Sequence, residues 1–409
     1  MTRKISFSNQ AGHQLAARLE EPIDRKPGAY ALFAHCFTCS KNLNAAHHIS
    51  QALTQHGIAV LRFDFTGLGD SEGEFADTNF SSNIEDLVSA AAFLEKEYEA
   101  PQLLIGHSLG GAAVLLASLR INSVKAIATL AAPASPQHVQ RLFTQDLETI
   151  RQEGQATIDL GGRSFTITQQ LIDDLEEAHD KHDLAQIHHP LLILHSPDDK
   201  SVSIENASEI YQQAQHPKSF ISLDGADHLL SRSADSTYAA TMIGSWAQRY
   251  LSLPTQEEDA PVTQLVTETR AGFTTEIMVD RHSLIADEPE SVGGHNLGPT
   301  PYDLAIAGLG ACTGMTLRMY ADQKGWPLEA VRVHMQHDKV YAEDCEHCED
   351  PKQKIDQVER AIEIIGDLDE KQRERLVEIA NKCPVHKTFE AGFKVVTTHR
   401  KNKTDSSGA

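Results

Sequence analysis

The sequence predicts an α/β fold on a mostly parallel sheet, followed by a smaller α+β domain. Three observations predict it. Short runs rich in Val, Ile, Leu and Phe alternate with amphipathic stretches up to about residue 250. The segment from Leu253 to Gln264 then carries two prolines and three consecutive acids, with no apolar periodicity. Beyond it, strand-like runs and long helical patterns follow without regular alternation.

The elements follow in order. Ile5–Phe7 and Leu15–Leu19 flank Asn9–Gly12 and read as an edge hairpin. Tyr30–Ala34, Ala59–Phe63, Leu103–Ile105, Val124–Ala131, Leu191–Leu194 and Phe220–Leu223 read as sheet strands, each bounded by Gly, Pro, Asp or Ser. Phe80–Tyr98, Gly111–Leu119 and Ile204–Gln215 read as helices. Between Pro133 and Leu191 the alternation breaks. Residues of about 134–188 hold a helix-like run (Gln137–Gln152), a strand (Phe165–Thr168) and a charged helix (Leu171–His182). An insertion of that length reads as a lid over a site. The first domain is therefore 1–252, with a linker at 253–261.

The second domain is expected over 262–400, with a frayed polar tail at 401–409. Gln264–Arg270 and Thr274–Val279 read as strands about Ala271–Gly272. A helix starts at Pro301 and runs to about Lys324. A strand (Ala330–Met335), two helices (Lys354–Ile365 and Glu370–Lys382) and a last strand (Phe393–Thr398) complete the pattern.

Composition excludes several classes. At roughly 150 residues per domain, 409 residues make two or three domains. No stretch approaches ~20 consecutive apolar residues, so a membrane-spanning helix is not expected. Lys and Arg number 36 against 58 Asp and Glu, a net charge of −22, which argues against a nucleic-acid partner. The first fifteen residues hold no apolar signal core, so the six cysteines are expected as reduced thiols in the cytoplasm.

Gly106-His107-Ser108-Leu109-Gly110 is a G-x-S-x-G turn between a strand and a helix. Its glycines permit the sharp bend that presents a serine hydroxyl above a sheet edge. Two further residues follow in the order a triad needs. Asp199, with Asp198 as alternate, stands just past the strand Leu191–Leu194, and His228 follows the strand Phe220–Leu223 behind a Gly turn. Ser108 is the expected nucleophile, His228 the base and Asp199 the orienting acid. The backbone amides of Leu109 and of Phe37, in the loop after the first central strand, are the expected oxyanion donors. Cys36 and Cys39 form C-x-x-C within that loop, where a structural or incidental role is favoured over a redox one.

These motifs resemble the α/β-hydrolase family over about Lys4 to Leu251. Arg62-Phe63-Asp64-Phe65-Thr66-Gly67-Leu68-Gly69-Asp70-Ser71 is similar to that family's aspartate- and glycine-rich loop. The resemblance implies a serine hydrolase that attacks an ester, thioester or amide carbonyl and passes through an acyl-enzyme.

In the second domain, Ala305, Leu309, Cys312, Met315, Thr316 and Met319 recur at helical spacing, which by itself reads as a buried apolar face. The segment Gly298-Pro299-Thr300-Pro301-Tyr302-Asp303-Leu304, with Ala311-Cys312-Thr313 and Cys383-Pro384-Val385-His386, resembles the OsmC-like family over about Val262 to His399. That resemblance implies a peroxidatic Cys312 and a resolving Cys383 acting on an organic hydroperoxide, recycled by a dithiol, in a homodimer. It also implies that Arg270 activates the thiolate. Tyr302, followed by Asp303, stands where peroxidase members carry Glu. Cys345, Cys348, Cys383 and His386 form an alternative zinc set; no other cofactor is expected. The alternative to a peroxidase is a non-catalytic module for dimerisation, zinc or ligand binding, or redox sensing.

Overall fold

The computed structural model describes residues 2–23, 26–37, 39–41, 43–160, 162–180, 184–251, 265–269, 272–279, 282–341 and 354–399. The expected linker 253–261, the tail 401–409, Arg270, Cys345 and Cys348 lie outside them. The chain divides into two compact units near Val266, a few residues past the expected linker.

In the first unit, β1 (Thr2–Ser8) and β2 (Gln14–Glu20) make the expected antiparallel hairpin. β3 (Ala29–Ala34), α1 (Asn44–Gln55), β4 (Ile58–Phe63), α2 (Phe80–Glu97), β5 (Leu103–His107), α3 (Leu109–Ala117) and β6 (Ala126–Leu130) follow. An insertion comes next. It holds a 3-10 stretch (Pro136–Phe143), α4 (Leu147–Glu153), β7 (Gln155–Asp159), β8 (Ser164–Thr168) and α5 (Gln169–Asp180). The unit closes with β9 (Leu191–His195), α6 (Glu205–Gln213), β10 (Lys218–Ser222) and α7 (Ser233–Ala247). Eight strands form one sheet in the order β1-β2-β4-β3-β5-β6-β9-β10, with β4, β3, β5, β6, β9 and β10 parallel throughout.

Why the runs are continuously apolar follows from burial on both faces. In β3, Leu32 packs into the core under α2 and α3, with Leu87, Leu94 and Leu115. Its neighbour Phe33 packs on the other face against Ile49 and Leu53 of α1 and Ile243 of α7. Successive side chains point to opposite faces, so one strand serves both cores. The expected helices did not include α1 or α7. In the insertion, the expected helix over Gln137–Gln152 is split into the 3-10 stretch and α4, and β8 gains an unforeseen partner in β7. Phe143, Ile150, Ile167 and Leu175 seat the insertion on the core of the first unit.

In the second unit, β11 (Leu265–Thr269), β12 (Thr275–Val279) and β13 (His282–Ala286) form one small sheet. α8 (Pro301–Lys324) starts and ends as the sequence predicts. Thr300 and Asp303 bond each other's backbone amides in a capping box, and Pro301 takes the first helical position. β14 (Leu328–Tyr341) pairs antiparallel with β15 (Lys354–Gly366), and α9 (Glu370–Ala380) and α10 (Pro384–Ala391) follow.

Two expectations fail here. Lys354–Ile365 is a strand and not a helix. Its apolar residues recur at three and four, but from 357 to 364 the partly buried Val358, Arg360, Ile362 and Ile364 alternate with the exposed Gln357, Glu359, Ala361 and Glu363, a period of two imposed by pairing with β14. Residues 393–398 form no strand, and Val395 and Val396 are exposed. The core of this unit joins Leu317 and Ala321 of α8 to Leu328, Leu376 and Ile379.

Candidate active site

Ser108 sits on the bend between β5 and α3 with φ 55°, a left-handed conformation rare for a residue with a β-carbon. The bend closes because its flanking glycines leave no side chain in the way. A β-carbon on Gly106 would stand 2.3 Å from the carbonyl oxygen of Gly110. The Ser108 amide donates to the Leu130 carbonyl of β6 (2.9 Å), which ties the turn to the sheet.

His228 meets Ser108 across the sheet edge. Its Nε2 lies 3.0 Å from Ser108 Oγ, and its Nδ1 lies 2.7 Å from Asp199 Oδ2. The other oxygen of Asp199 accepts from the amides of Ser201 (2.8 Å) and Val202 (2.9 Å). Burial pushes the Asp199 carboxyl up, but the His228 hydrogen bond and these two amides outweigh it and hold it below its ordinary value. The carboxylate therefore stays ionised beside the imidazole and fixes the orientation of the ring. Asp198, the alternate acid, is exposed, and its amide turns back to Ser196 Oγ (3.2 Å).

Three histidines around this core were given no role from the sequence. His107 is buried, and its Nε2–H donates to the carbonyl of His228 (2.7 Å), holding the backbone that carries the imidazole. Burial pushes its pKa down to about 4, with nearby His228 adding to the effect. His195 Nε2–H donates to the Val202 carbonyl (2.8 Å) and steadies the acid loop. His35 is buried at the end of β3, and its Nδ1–H donates to the Cys36 carbonyl (2.8 Å). The only signal for them was position, at strand ends beside the motif residues.

Phe37 and Leu109, the expected oxyanion residues, line one narrow cavity of about 10 Å³ with Phe65, Phe75, Leu68 and Ala113. That is room for about one water. The Phe37 ring packs on Phe75 (5.6 Å), and Phe75 on Phe165 of the insertion (5.0 Å).

The loop after β3 brings one correction. Cys36 and Cys39, expected as reduced thiols, are joined by a disulfide. A turn, in which the Cys39 amide donates to the Cys36 carbonyl (3.1 Å), brings the Cα atoms to 5.3 Å, within the reach of such a bond.

In the second unit, Cys312 of α8 and Cys383 at the start of α10 are neighbours through a side-chain hydrogen bond. Cys383 is buried and Cys312 half-buried. Burial pushes the Cys383 thiol up, but Cys312, the amides of His386 and Val385, and Thr313 outweigh it and lower its pKa. Arg360 of β15 is bonded to the same Thr313. It donates to Thr313 Oγ1 (3.0 Å) and Asn381 Oδ1 (2.7 Å). Sequence reasoning missed Arg360 because it placed that residue on a helix. One oxygen of the Asp303 carboxylate accepts from the Thr300 amide (3.0 Å) and hydroxyl (2.7 Å), while Tyr302 stacks on His337 (4.7 Å). His386 lies within 3.2 Å of Glu390. Among the described residues no group of three or more His, Cys, Asp or Glu is placed to hold a metal ion.

A parallel sheet with a serine on a strained strand-to-helix turn and His and Asp on later loops defines an α/β-hydrolase. The chain belongs to that family, with an OsmC-like domain following in the same polypeptide. The family model described as serine aminopeptidase, S33, matches residues 29–177, and the model for OsmC-like protein matches 294–398. The solved esterase domain of a Rhodothermus marinus protein is 50% identical, covers 61% of this chain and 99% of its own, and superposes with a TM-score of 0.52. Mouse α/β-hydrolase domain-containing protein 10 shares the fold at 22% identity, with a TM-score of 0.51 over 60% of this chain and 99% of its own. Among curated proteins, the mitochondrial palmitoyl-protein thioesterase ABHD10 of Mus musculus is 26% identical over 44% of this chain and 62% of its own length. Monoglyceride lipase of Rattus norvegicus is 30% identical over 27% of this chain and 36% of its own. The chain thus spans less than two thirds of each of these curated relatives. No described helix is long and apolar enough to cross a membrane.

Proposed function

We propose that the first unit hydrolyses a carboxylic ester or thioester bearing a small acyl group, through an acyl-enzyme on Ser108. The observation that carries this is the hydrogen-bonded chain Ser108–His228–Asp199. His228 takes the Ser108 proton as Oγ attacks the carbonyl carbon, and Asp199 stabilises the imidazolium. The amides of Leu109 and Phe37 receive the oxyanion. The imidazolium then protonates the leaving alcohol or thiol. Water, deprotonated by His228, hydrolyses the acyl-enzyme. The relatives named esterase and thioesterase support this class of bond. The narrow aromatic cavity beside Leu109 supports a short acyl chain, and Phe75 and Phe165 support the insertion as its lid. A series of p-nitrophenyl esters from acetyl to decanoyl tests it. kcat/KM is expected to be highest for the shortest chains, and a fluorophosphonate probe is expected to label Ser108. Equal turnover of decanoyl and acetyl esters would remove the small-acyl assignment, and failure to label would remove the serine mechanism.

A second activity is favoured by the pairing of Cys312 and Cys383. In this reading the more accessible Cys312 thiolate attacks an organic hydroperoxide, forming a sulfenic acid and releasing the alcohol. Cys383 thiolate then displaces hydroxide to form a disulfide, which an external dithiol reduces. Exposed Met315, Met319, Val395 and Val396 support a homodimer through this unit. Peptide mapping after exposure to cumene hydroperoxide is expected to show a Cys312–Cys383 disulfide. Unchanged thiols would leave the unit a non-catalytic module.

A further inference from the structure

The loop from His35 to Leu43 carries the Phe37 amide, and it is held differently at its two ends and in its middle. At the front, the strand end packs on the nucleophile turn. The carbonyl oxygens of Ala34 and His35 fill the space where Gly110 has no side chain. At the back, Lys41 is buried, although lysine is almost never so. Its amide donates to Asp64 Oδ1 (2.5 Å), and its Nζ to Asp64 Oδ2 (2.5 Å) and Asp70 Oδ2 (2.7 Å). Arg62 donates to the Lys41 carbonyl from below. Between these anchors, the Cys36–Cys39 bond closes a four-residue ring that contains Phe37.

An oxyanion hole accelerates a reaction only if its donors are fixed before the charge develops, within about 0.5 Å of the productive position. The covalent ring lies across the one stretch of this loop where that condition applies. We propose that the Cys36–Cys39 disulfide positions the Phe37 amide, and that its two-electron reduction by a dithiol turns the hydrolase down by lowering kcat. This rests on the hydrolase reading above. Cys39 is half-buried and Cys36 buried, so Cys39 is the sulfur a reductant meets first. A thiolate of the dithiol bonds to Cys39 sulfur, and Cys36 leaves as a thiolate. The second thiol of the reagent then displaces Cys39, closing the reagent into its own disulfide. Both cysteines are left as thiol or thiolate, with the two electrons supplied by the dithiol. The anchors at Gly110 and Lys41 do not depend on the bond, so the loop stays docked while its middle loosens.

The test uses the full chain and p-nitrophenyl acetate. Oxidised and dithiothreitol-reduced protein are compared, with the state of Cys36 and Cys39 read by mass spectrometry. Reduction is expected to lower kcat about 10-fold or more, with KM changed less than twofold. Affinity for a trifluoromethyl ketone, which places an oxyanion in the hole, should fall in parallel, and reoxidation should restore both. The Cys36→Ser/Cys39→Ser double variant should show the low kcat from the start and ignore the dithiol. Its thermal unfolding would report whether it folds. Equal kcat in both redox states of the native sequence overturns the proposal. So does a folded double variant as active as the oxidised protein, or one that still responds to the dithiol. If neither state turns over ester nor labels with fluorophosphonate, the hydrolase reading falls, and this inference with it.

Discussion

Gly110 packs its Cα against the carbonyl oxygen of His35, so closely that a β-carbon would stand 2.4 Å from it. That contact joins the Ser108 turn to the loop carrying Phe37, the proposed second oxyanion donor. Gly110→Ala is expected to force the two apart, costing about 1–3 kcal/mol from overpacking. Ester kcat should fall further than KM rises. Thermal unfolding and steady-state kinetics on one preparation check both.

Ser108→Ala removes the proposed nucleophile and leaves the neighbouring backbone in place. Ester turnover is expected to fall by at least 10³, with fluorophosphonate labelling abolished. Unfolding temperature should not fall, because Ser108 holds a left-handed conformation without itself being part of the packed core.

Asp199→Asn keeps the shape of the acid but not its charge. The side-chain amide cannot accept from His228 Nδ1–H through its NH2 group, and it no longer stabilises the imidazolium. A kcat loss on the order of 10³–10⁴ is expected, larger than that of Asp198→Asn, which should stay within twofold. Parallel kinetics on the two variants separate these outcomes.

His107 makes the first unit acid-sensitive. Folded, it stays neutral down to about pH 4, because burial, and then His228, oppose its charge. Unfolded, it takes a proton near its ordinary value of about 6.5. Between those two values the unfolded chain binds more protons, so stability falls as pH drops from 6.5 towards 4, by roughly 3 kcal/mol. His107→Gln, which keeps a donor for the His228 carbonyl, should flatten that dependence. Calorimetric unfolding at pH 7 and pH 4.5 measures it.

Arg360 stands one hydrogen bond from Thr313, which in turn neighbours the Cys383 sulfur. Arg360→Gln, which loosens the Thr313 side chain beside Cys383, is expected to slow formation of the proposed Cys312–Cys383 disulfide by hydroperoxide severalfold. Arg360→Lys should recover part of the rate. Stopped-flow oxidation of the two variants reads both.

Much of this protein is legible in its sequence. The central strands are buried on both faces, which leaves apolar runs too plain to mistake, and the G-x-S-x-G turn needs residues that no other arrangement there requires. Ser108, Asp199 and His228 stand along the chain in the order the motif requires, and the structure brings the three into one hydrogen-bonded chain. α8 was bounded by its own caps, Thr300 and Gly325, which are local signals.

Tertiary structure decided the rest, because the deciding partners are distant in sequence. β15 carries a helical spacing of apolar residues and is a strand because β14 supplies its hydrogen bonds. That single change turns Arg360 inward, towards Thr313. Asp199 rather than Asp198 reaches His228, because the Ser201 and Val202 amides hold its other oxygen. Cys36 and Cys39 are bonded because a turn brings their backbones together beside the nucleophile. Sequence determined which groups are present and on which elements they ride; which pairs come within bonding distance was settled by burial and hydrogen-bond satisfaction in three dimensions.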